Sequence, residues 1–224
     1  MQAYLDLIAQ NNIVRQECEL RIMVSISRFF RDRHLWAGLE TDILPAVIKS
    51  QQRQVRVWSA GCGRGEEVYS LKIVWDRLGQ TYPHLPGLTI IGTDKHPDYI
   101  KMARAGVYTP GSLKELPPDL RGQYFDARKG GNRFCIKAFV KADIDWKVRD
   151  ILAEPPGTAF NIVFLRNNLL TYYKEPLKEE GLSRVSKALI PKGWLIVGSH
   201  EKLPAGALNF RRHGSIPWAY CREA

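Results

Sequence analysis

Apolar positions along this chain follow two rhythms. Short runs of mostly apolar residues at 55–59, 88–93, 160–165 and 194–197 read as strands. Longer stretches with apolar residues three and four apart, at about 66–78, 97–105 and 176–189, read as helices. The second of these has Pro97 in its first turn and Gly106 just past its end, the usual placement of both residues. Strand and helix patterns alternate, which predicts a parallel sheet covered by helices on both faces. Two regions depart from the alternation. Residues 1–50 read as helical, with Tyr4, Leu5, Leu7 and Ile8 on one apolar face and Leu20, Ile22, Met23 and Ile26 on another. An amphipathic helix then runs through Leu39 and Ile43 to Ile48, and a polar connector follows at 51–54. Residues 107–137 carry prolines, Gly130-Gly131 and short apolar pairs at 124–125 and 134–136. They predict an inserted β-subdomain with a hairpin turn at 129–132. Further expectations are a strand at 138–144, a turn at 191–193, and a closing pair of strands at 207–220 in which Ile216, Trp218 and Tyr220 alternate. The division expected is a helical segment at 1–50 and an α/β domain at 51–224.

The 224 residues, 45% hydrophobic and 25% charged, are enough for one such domain. No apolar run approaches the roughly 20 residues needed to span a bilayer. The opening MQAYLDLIAQ lacks the basic start of a secretion signal, so a cytoplasmic protein without membrane insertion is expected. Four cysteines and five histidines are scattered with no metal-ligand spacing, and no metal site is expected. The net charge of +10 is uneven. Residues 95–151 hold 12 basic and 7 acidic residues, whereas 55–94 hold 4 of each. The basic surface is therefore expected beside the glycine-rich region and suited to an acidic partner.

The chemistry concentrates at 55–70. The first predicted strand runs into Gly61, Gly63 and Gly65, with Cys62 between the first two, and a helix follows at once. Such a turn lets backbone approach a nucleotide-like ligand. Glu66 and Glu67 open the helix and would repel phosphates, so the pattern suits a ligand with a ribose, an amine and a positive centre. S-adenosylmethionine has all three. Asp94 ends the second predicted strand, where a carboxylate can accept both ribose hydroxyls; capping the next helix is the alternative. Asp150 could accept from an adenine amine or serve as a turn residue. Arg31 could clamp a carboxylate substrate. The segment 166–173 leaves the 160–165 strand at the substrate edge. It lacks the Pro-Pro-aromatic sequence of nucleic-acid amino methyltransferases, which counts against nucleic acid as a partner.

Several motifs in order resemble the CheR-type chemotaxis receptor methyltransferases, which esterify glutamate side chains. Residues 27–32 read S-R-F-F-R-D against the family's T-x-F-F-R-D. Residues 59–62 and 65–70 read S-A-G-C and G-E-E-V-Y-S against S-A-G-C and G-E-E-P-Y-S, and 198–203 read G-S-H-E-K-L against G-x-S-E-x-L. Thr93-Asp94, the 103–108 segment, Leu116-Pro117, Tyr124-Phe125 and Arg166-Asn167 extend the match. The resemblance implies a class I S-adenosylmethionine-dependent methyltransferase, Rossmann-like with a seven-stranded sheet, and O-methylation of a carboxylate. The acceptor would be an acidic protein segment, with a membrane receptor as partner, or a small carboxylate molecule. It implies a cofactor site formed by Gly61, Cys62, Gly65, Glu66 or Glu67, Asp94, Asp150, Ile151, Asn167 and Asn168, approached by Ser27 and Arg31.

Three departures from the family pattern stand out. Only about 26 residues precede the F-F-R motif, where the family has a longer helical domain. Thr171 stands where the family has a tyrosine near the methyl donor, so Tyr172 or Tyr173 takes that role only if the turn shifts. Asp150 and Val68 replace an asparagine and a proline. A small-molecule or peptide methyltransferase and a non-catalytic cofactor-binding interaction module are the competing readings.

Overall fold

In a computed structural model, residues 27–50, 53–128, 130–204 and 209–223 are described. The expected helical faces before Ser27 lie outside them. The chain begins with α1 (Arg33–Gly38), one π-helical turn (Leu39–Ile43) and α2 (Leu44–Ser50). Strand β1 (Gln54–Ala60), α3 (Glu66–Gly79), β2 (Gly87–Asp94) and α4 (Pro97–Ala105) follow, with Gly106 closing α4 in the left-handed conformation. The inserted unit comprises β3 (Val107–Tyr108), α5 (Pro118–Tyr124), β4 (Phe125–Ala127) and β5 (Phe134–Ile136). The main chain of the fold resumes with β6 (Ile144–Val148), β7 (Phe160–Leu165), α6 (Leu169–Tyr172), α7 (Leu177–Ala188), β8 (Leu189–Val197), β9 (Phe210–Arg212) and β10 (Ala219–Arg222).

Seven strands form one sheet in the order β6-β2-β1-β7-β8-β10-β9. The first five are parallel and β10 runs antiparallel to both its neighbours. The central strands are buried on both faces, and every residue of β7 is buried, which is why they read as mostly apolar runs. The order reverses between β1 and β7, so a crevice opens beyond the carboxyl ends of these strands. The three short strands make a separate antiparallel sheet, β3-β5-β4.

The helical segment at 27–50 packs into the same core as α3 and the sheet. Phe29 is fully buried, with edge-on ring contacts to Tyr108 and Phe125 of the inserted unit. Trp36 stacks on Phe164 of β7 at 5.9 Å between ring centroids. Each such side chain removed from water contributes roughly 1.5–3 kcal/mol. The other end of the chain returns to this segment. A Cβ placed on Gly38 would lie 2.6 Å from Cδ1 of Ile216, and His213 Nε2 meets Asp42 Oδ2 at 3.3 Å.

Four expectations are corrected. Residues 138–144 are not a strand: Ala138–Lys141 form a 3-10 turn whose only buried residue is Val140. Asp143 then takes a left-handed φ of 60°, and pairing with β2 begins at Ile144. Residues 191–193 do not turn the chain. They form a bulge within β8, where Lys192 has φ 62° and the register to β7 jumps from Phe160↔Leu189 to Ile162↔Trp194. Ile216 and Trp218 precede β10 rather than alternating within it, because Ile216 fills the space over Gly38. The inserted unit also contains α5 and β3, which the sequence pattern did not predict.

Candidate functional site

The turn after β1 is built from left-handed glycines, Gly61 at φ 73°, Gly63 at 55° and Gly65 at 87°. Gly61 N–H and Cys62 N–H both donate to Thr93 O at 2.8 Å, which pins the turn against the end of β2. Gly63 N–H then donates to Asp94 Oδ2, and His96 N–H to Asp94 Oδ1, each at 2.9 Å. One N–H on each oxygen leaves the carboxylate with further lone pairs. Burial raises the Asp94 pKa above its ordinary value, while the two backbone donors, His96 and Lys95 oppose the shift.

Beneath the turn, α3 starts with Glu66 and Glu67 where its dipole favours negative charge. The two carboxylates part company. Glu67 Oε1 accepts from Ser59 Oγ at 2.8 Å and Oε2 from Arg166 Nη1 at 3.0 Å. Arg166, whose side chain is 5% exposed, also donates through Nη2 to Asp32 Oδ2 at 2.6 Å and to Arg31 O at 3.3 Å. Glu66 is fully buried on the other side, between Ser27, Ser112 and Arg64, and burial raises its pKa.

These groups surround a cavity of about 630 Å³. Of the residues singled out from the sequence, Ser27, Arg31, Gly61, Cys62, Glu67, Asp94, Ile151, Asn167, Asn168 and Tyr172 line it. Gly65, Glu66 and Asp150 do not. Gly65 precedes α3 and faces the Trp146 ring, Glu66 points into the core, and Asp150 Oδ1 accepts from Leu152 N–H in a local turn. The Cys62 thiol is buried, and its pKa is raised by burial and by Asp94 and Glu67, so it stays protonated.

Arg28, Gly63, Lys95, His96, Tyr99, Arg149, Arg166, Thr171, Tyr173 and His200 complete the lining and were not singled out as site residues from the sequence. Five Lys or Arg residues thus face two acidic ones, Glu67 and Asp94. The positive charge expected beside the site is in it, delivered from segments before and after the neutral 55–94 stretch. Adjacency to Asp94 and to Asp150 was the available signal for Lys95 and Arg149.

On the far wall, Asn168 Nδ2 donates to Ala60 O and crowds Gly61, leaving no space for a Cβ there. Asn167 has a left-handed φ of 53°. Tyr172 stands at the rim, 61% exposed. Among the described residues there is no cluster of potential metal ligands and no helix long and apolar enough to cross a membrane.

The donor set fits S-adenosylmethionine. Asp94 has acceptor capacity at the end of β2 that a ribose could use, the glycine turn presents backbone without side chains, and Nε2 of His96, buried in the lining, takes no hydrogen bond within the chain. Sheet order, the antiparallel penultimate strand and a glycine turn facing a strand-end carboxylate define the class I S-adenosylmethionine-dependent methyltransferase fold. A sequence model of the family described as "CheR methyltransferase, SAM binding domain" matches residues 25–217, and the chain belongs to that family. It is 32% identical over 180 residues to chemotaxis protein methyltransferase 1 of Pseudomonas aeruginosa, covering 78% of this chain and 65% of that protein. It is 29% identical over 182 residues to the chemotaxis protein methyltransferase of Listeria monocytogenes, covering 81% and 67%. It is also 27% identical over 205 residues to an uncharacterized 104.1 kDa protein of Rhodobacter capsulatus, covering 91% of this chain and 21% of that protein. The chain thus spans about two thirds of the chemotaxis relatives and about a fifth of the Rhodobacter protein.

Proposed function

We propose that this chain transfers a methyl group from S-adenosylmethionine to a carboxylate, by family default a glutamate side chain in an acidic protein segment. The observation that carries the reading is the charge of the cavity. Arg28, Arg31, Lys95, Arg149 and Arg166 line it against Glu67 and Asp94; Arg166 is committed to Glu67 and Asp32, and Arg28 is paired with Glu115, so it is the excess of positive charge in the lining as a whole that supports the reading. Such a lining favours an anionic acceptor.

S-adenosylmethionine, when bound, supplies an electrophilic methyl group on a sulfonium. Asp94 would hold the ribose hydroxyls, with Gly61, Gly63 and Cys62 as floor, Ile151 against the adenine, and Asn167 and Asn168 opposite. Glu67 would face the positive end of the cofactor, held in place by Arg166. A glutamate acceptor has an ordinary pKa of about 4.3 and arrives ionised, so no general base is needed. The chain's task is then to orient the carboxylate and exclude water. Arg31 would hold one acceptor oxygen, and its backbone carbonyl is fixed by donors from Trp36 Nε1 at 2.9 Å and Arg166 Nη2. Tyr172 closes the rim.

The test is calorimetric titration of S-adenosylhomocysteine into wild type and Asp94→Ala, followed by radiolabelled methyl transfer to a glutamate-rich peptide with alkali-released methanol as readout. Micromolar binding lost in Asp94→Ala, and methanol released from the product, support the reading. Binding without transfer to any carboxylate would support the interaction-module alternative, and absence of wild-type binding would defeat the cofactor assignment.

A further inference from the structure

The turn after β7 supplies Asn167, Asn168 and Tyr172 to the cavity, yet a four-residue helix is too short to hold itself in place. Its anchor comes from a different part of the chain. Glu201, 6% exposed and outside the cavity lining, accepts from Asn167 N–H at 2.8 Å and from Gly198 N–H at 2.7 Å, both on Oε2. Its Oε1 accepts from Thr171 Oγ at 2.5 Å. One carboxylate therefore gathers two backbone amides, from the ends of β7 and β8, and one hydroxyl. The arrangement leaves no room for alternatives at Gly198, where a Cβ would lie 2.7 Å from Asn167 Oδ1 and 2.8 Å from Glu201 Oε2. The 198–201 turn is in turn tied to the closing hairpin, because Trp218 Nε1 donates to Ser199 O at 2.8 Å. Asn167 takes a left-handed backbone, a conformation that asparagine adopts more readily than most residues.

We propose that Glu201 and Thr171 form a clasp that positions the 167–172 turn against the cofactor cavity, with Glu201 as the positioning residue and the Thr171 hydroxyl committed to it. Thr171 then donates its proton to Glu201 rather than to an acceptor substrate. Charge-assisted hydrogen bonds to an ionised carboxylate are the strong kind, and losing one of three leaves the other two to hold part of the geometry. The effect is graded: removing Glu201 frees both strand ends, while removing the Thr171 hydroxyl frees only the outer half of the turn.

The proposal rests on the cofactor reading above for its binding arm but not for its exchange arm. Wild type, Glu201→Ala, Thr171→Val and Thr171→Ser are compared by hydrogen exchange with mass spectrometry and by titration with S-adenosylhomocysteine. In Glu201→Ala, exchange is expected to accelerate at least tenfold in peptides covering 166–172 and 198–201, with β1 unaffected, and affinity to fall about tenfold. Thr171→Val is expected to accelerate exchange only in 169–173 and to weaken binding about threefold, and Thr171→Ser to match wild type. Should Glu201→Ala not fold, the two Thr171 variants decide. Unchanged exchange and affinity in Thr171→Val, or acceleration spread evenly over the whole sheet, would overturn the proposal. If wild type binds no S-adenosylhomocysteine, the cofactor reading fails and the exchange results alone judge the clasp.

Discussion

Arg166 meets Asp32 at 2.6 Å across 134 residues of sequence, and its other terminal nitrogen meets Glu67 at 3.0 Å. One nearly buried guanidinium thus joins the segment carrying Arg31 to the helix that carries the cofactor-side carboxylate. Replacing it with alanine leaves two carboxylates facing each other without their cation. Removing one partner of a buried pair typically costs about 3–5 kcal/mol. Arg166→Ala is expected to lose stability of that order in urea denaturation. Arg166→Lys should recover only part of it, because an ammonium lacks the planar fork that spans both partners.

Asp94 provides the pH dependence. Burial places its folded pKa above the ordinary value of 3.8. Between 3.8 and that raised value the folded chain keeps a proton that the unfolded chain has released, so this group's contribution to stability declines as pH rises through the window. On the proposed role of Asp94, binding runs the other way, because ribose hydroxyls would donate to the ionised carboxylate. S-adenosylhomocysteine affinity is therefore expected to rise with pH through the same window and then level off. Calorimetry in a pH series would show this for wild type, and Asp94→Asn should bind weakly with no such rise.

Glu66 and Glu67 are adjacent but should respond in opposite ways. Glu67→Gln removes a charge that lines the cavity and pairs with Arg166, and a tenfold or greater loss of S-adenosylhomocysteine affinity is expected. Glu66→Gln replaces a fully buried carboxyl whose charge is opposed by burial. Affinity should stay within about threefold of wild type, and thermal unfolding near neutral pH should show no loss of stability. Reversed results would exchange the two assignments.

Gly61 combines a φ of 73° with contact against Asn168. Alanine there is strained by its backbone, by about 1–2 kcal/mol, before any clash is counted. Its Cβ would also displace the Asn168 amide from Ala60 O. Gly61→Ala should lower the melting temperature and weaken S-adenosylhomocysteine binding together, whereas alanine at Gly122, which has open space around it, should leave binding unchanged.

What the sequence revealed and what it hid follow from how far each signal reaches along the chain. β7 and α4 were legible to the residue because continuous apolar burial, a first-turn proline and a closing glycine are local. Asp94 and the glycine turn were legible for the same reason. The choice between Glu66 and Glu67 was not, since it depends on Ser59 and Arg166 meeting one of them from two other strands. Asp150 drew notice as a carboxylate after a strand, yet its neighbours Arg149 and Ile151 line the cavity while it closes a local turn. Residues 191–193 carry turn-forming chemistry that the fold uses for a bulge, because β8 must continue along β7 on both sides of it. The cationic lining converges from four separate segments and has no single sequence window in which it could be counted.

The contact of Gly38 with Ile216, and of Asp42 with His213, has a consequence for how this domain can be inherited. The first and last described portions of the chain latch onto each other, and none of these four residues lines the cavity. A fold fastened at such a seam behaves as a cassette. A stretch similar to this chain makes up about a fifth of the 104.1 kDa Rhodobacter protein, as expected of a unit whose ends fasten to each other away from the cavity.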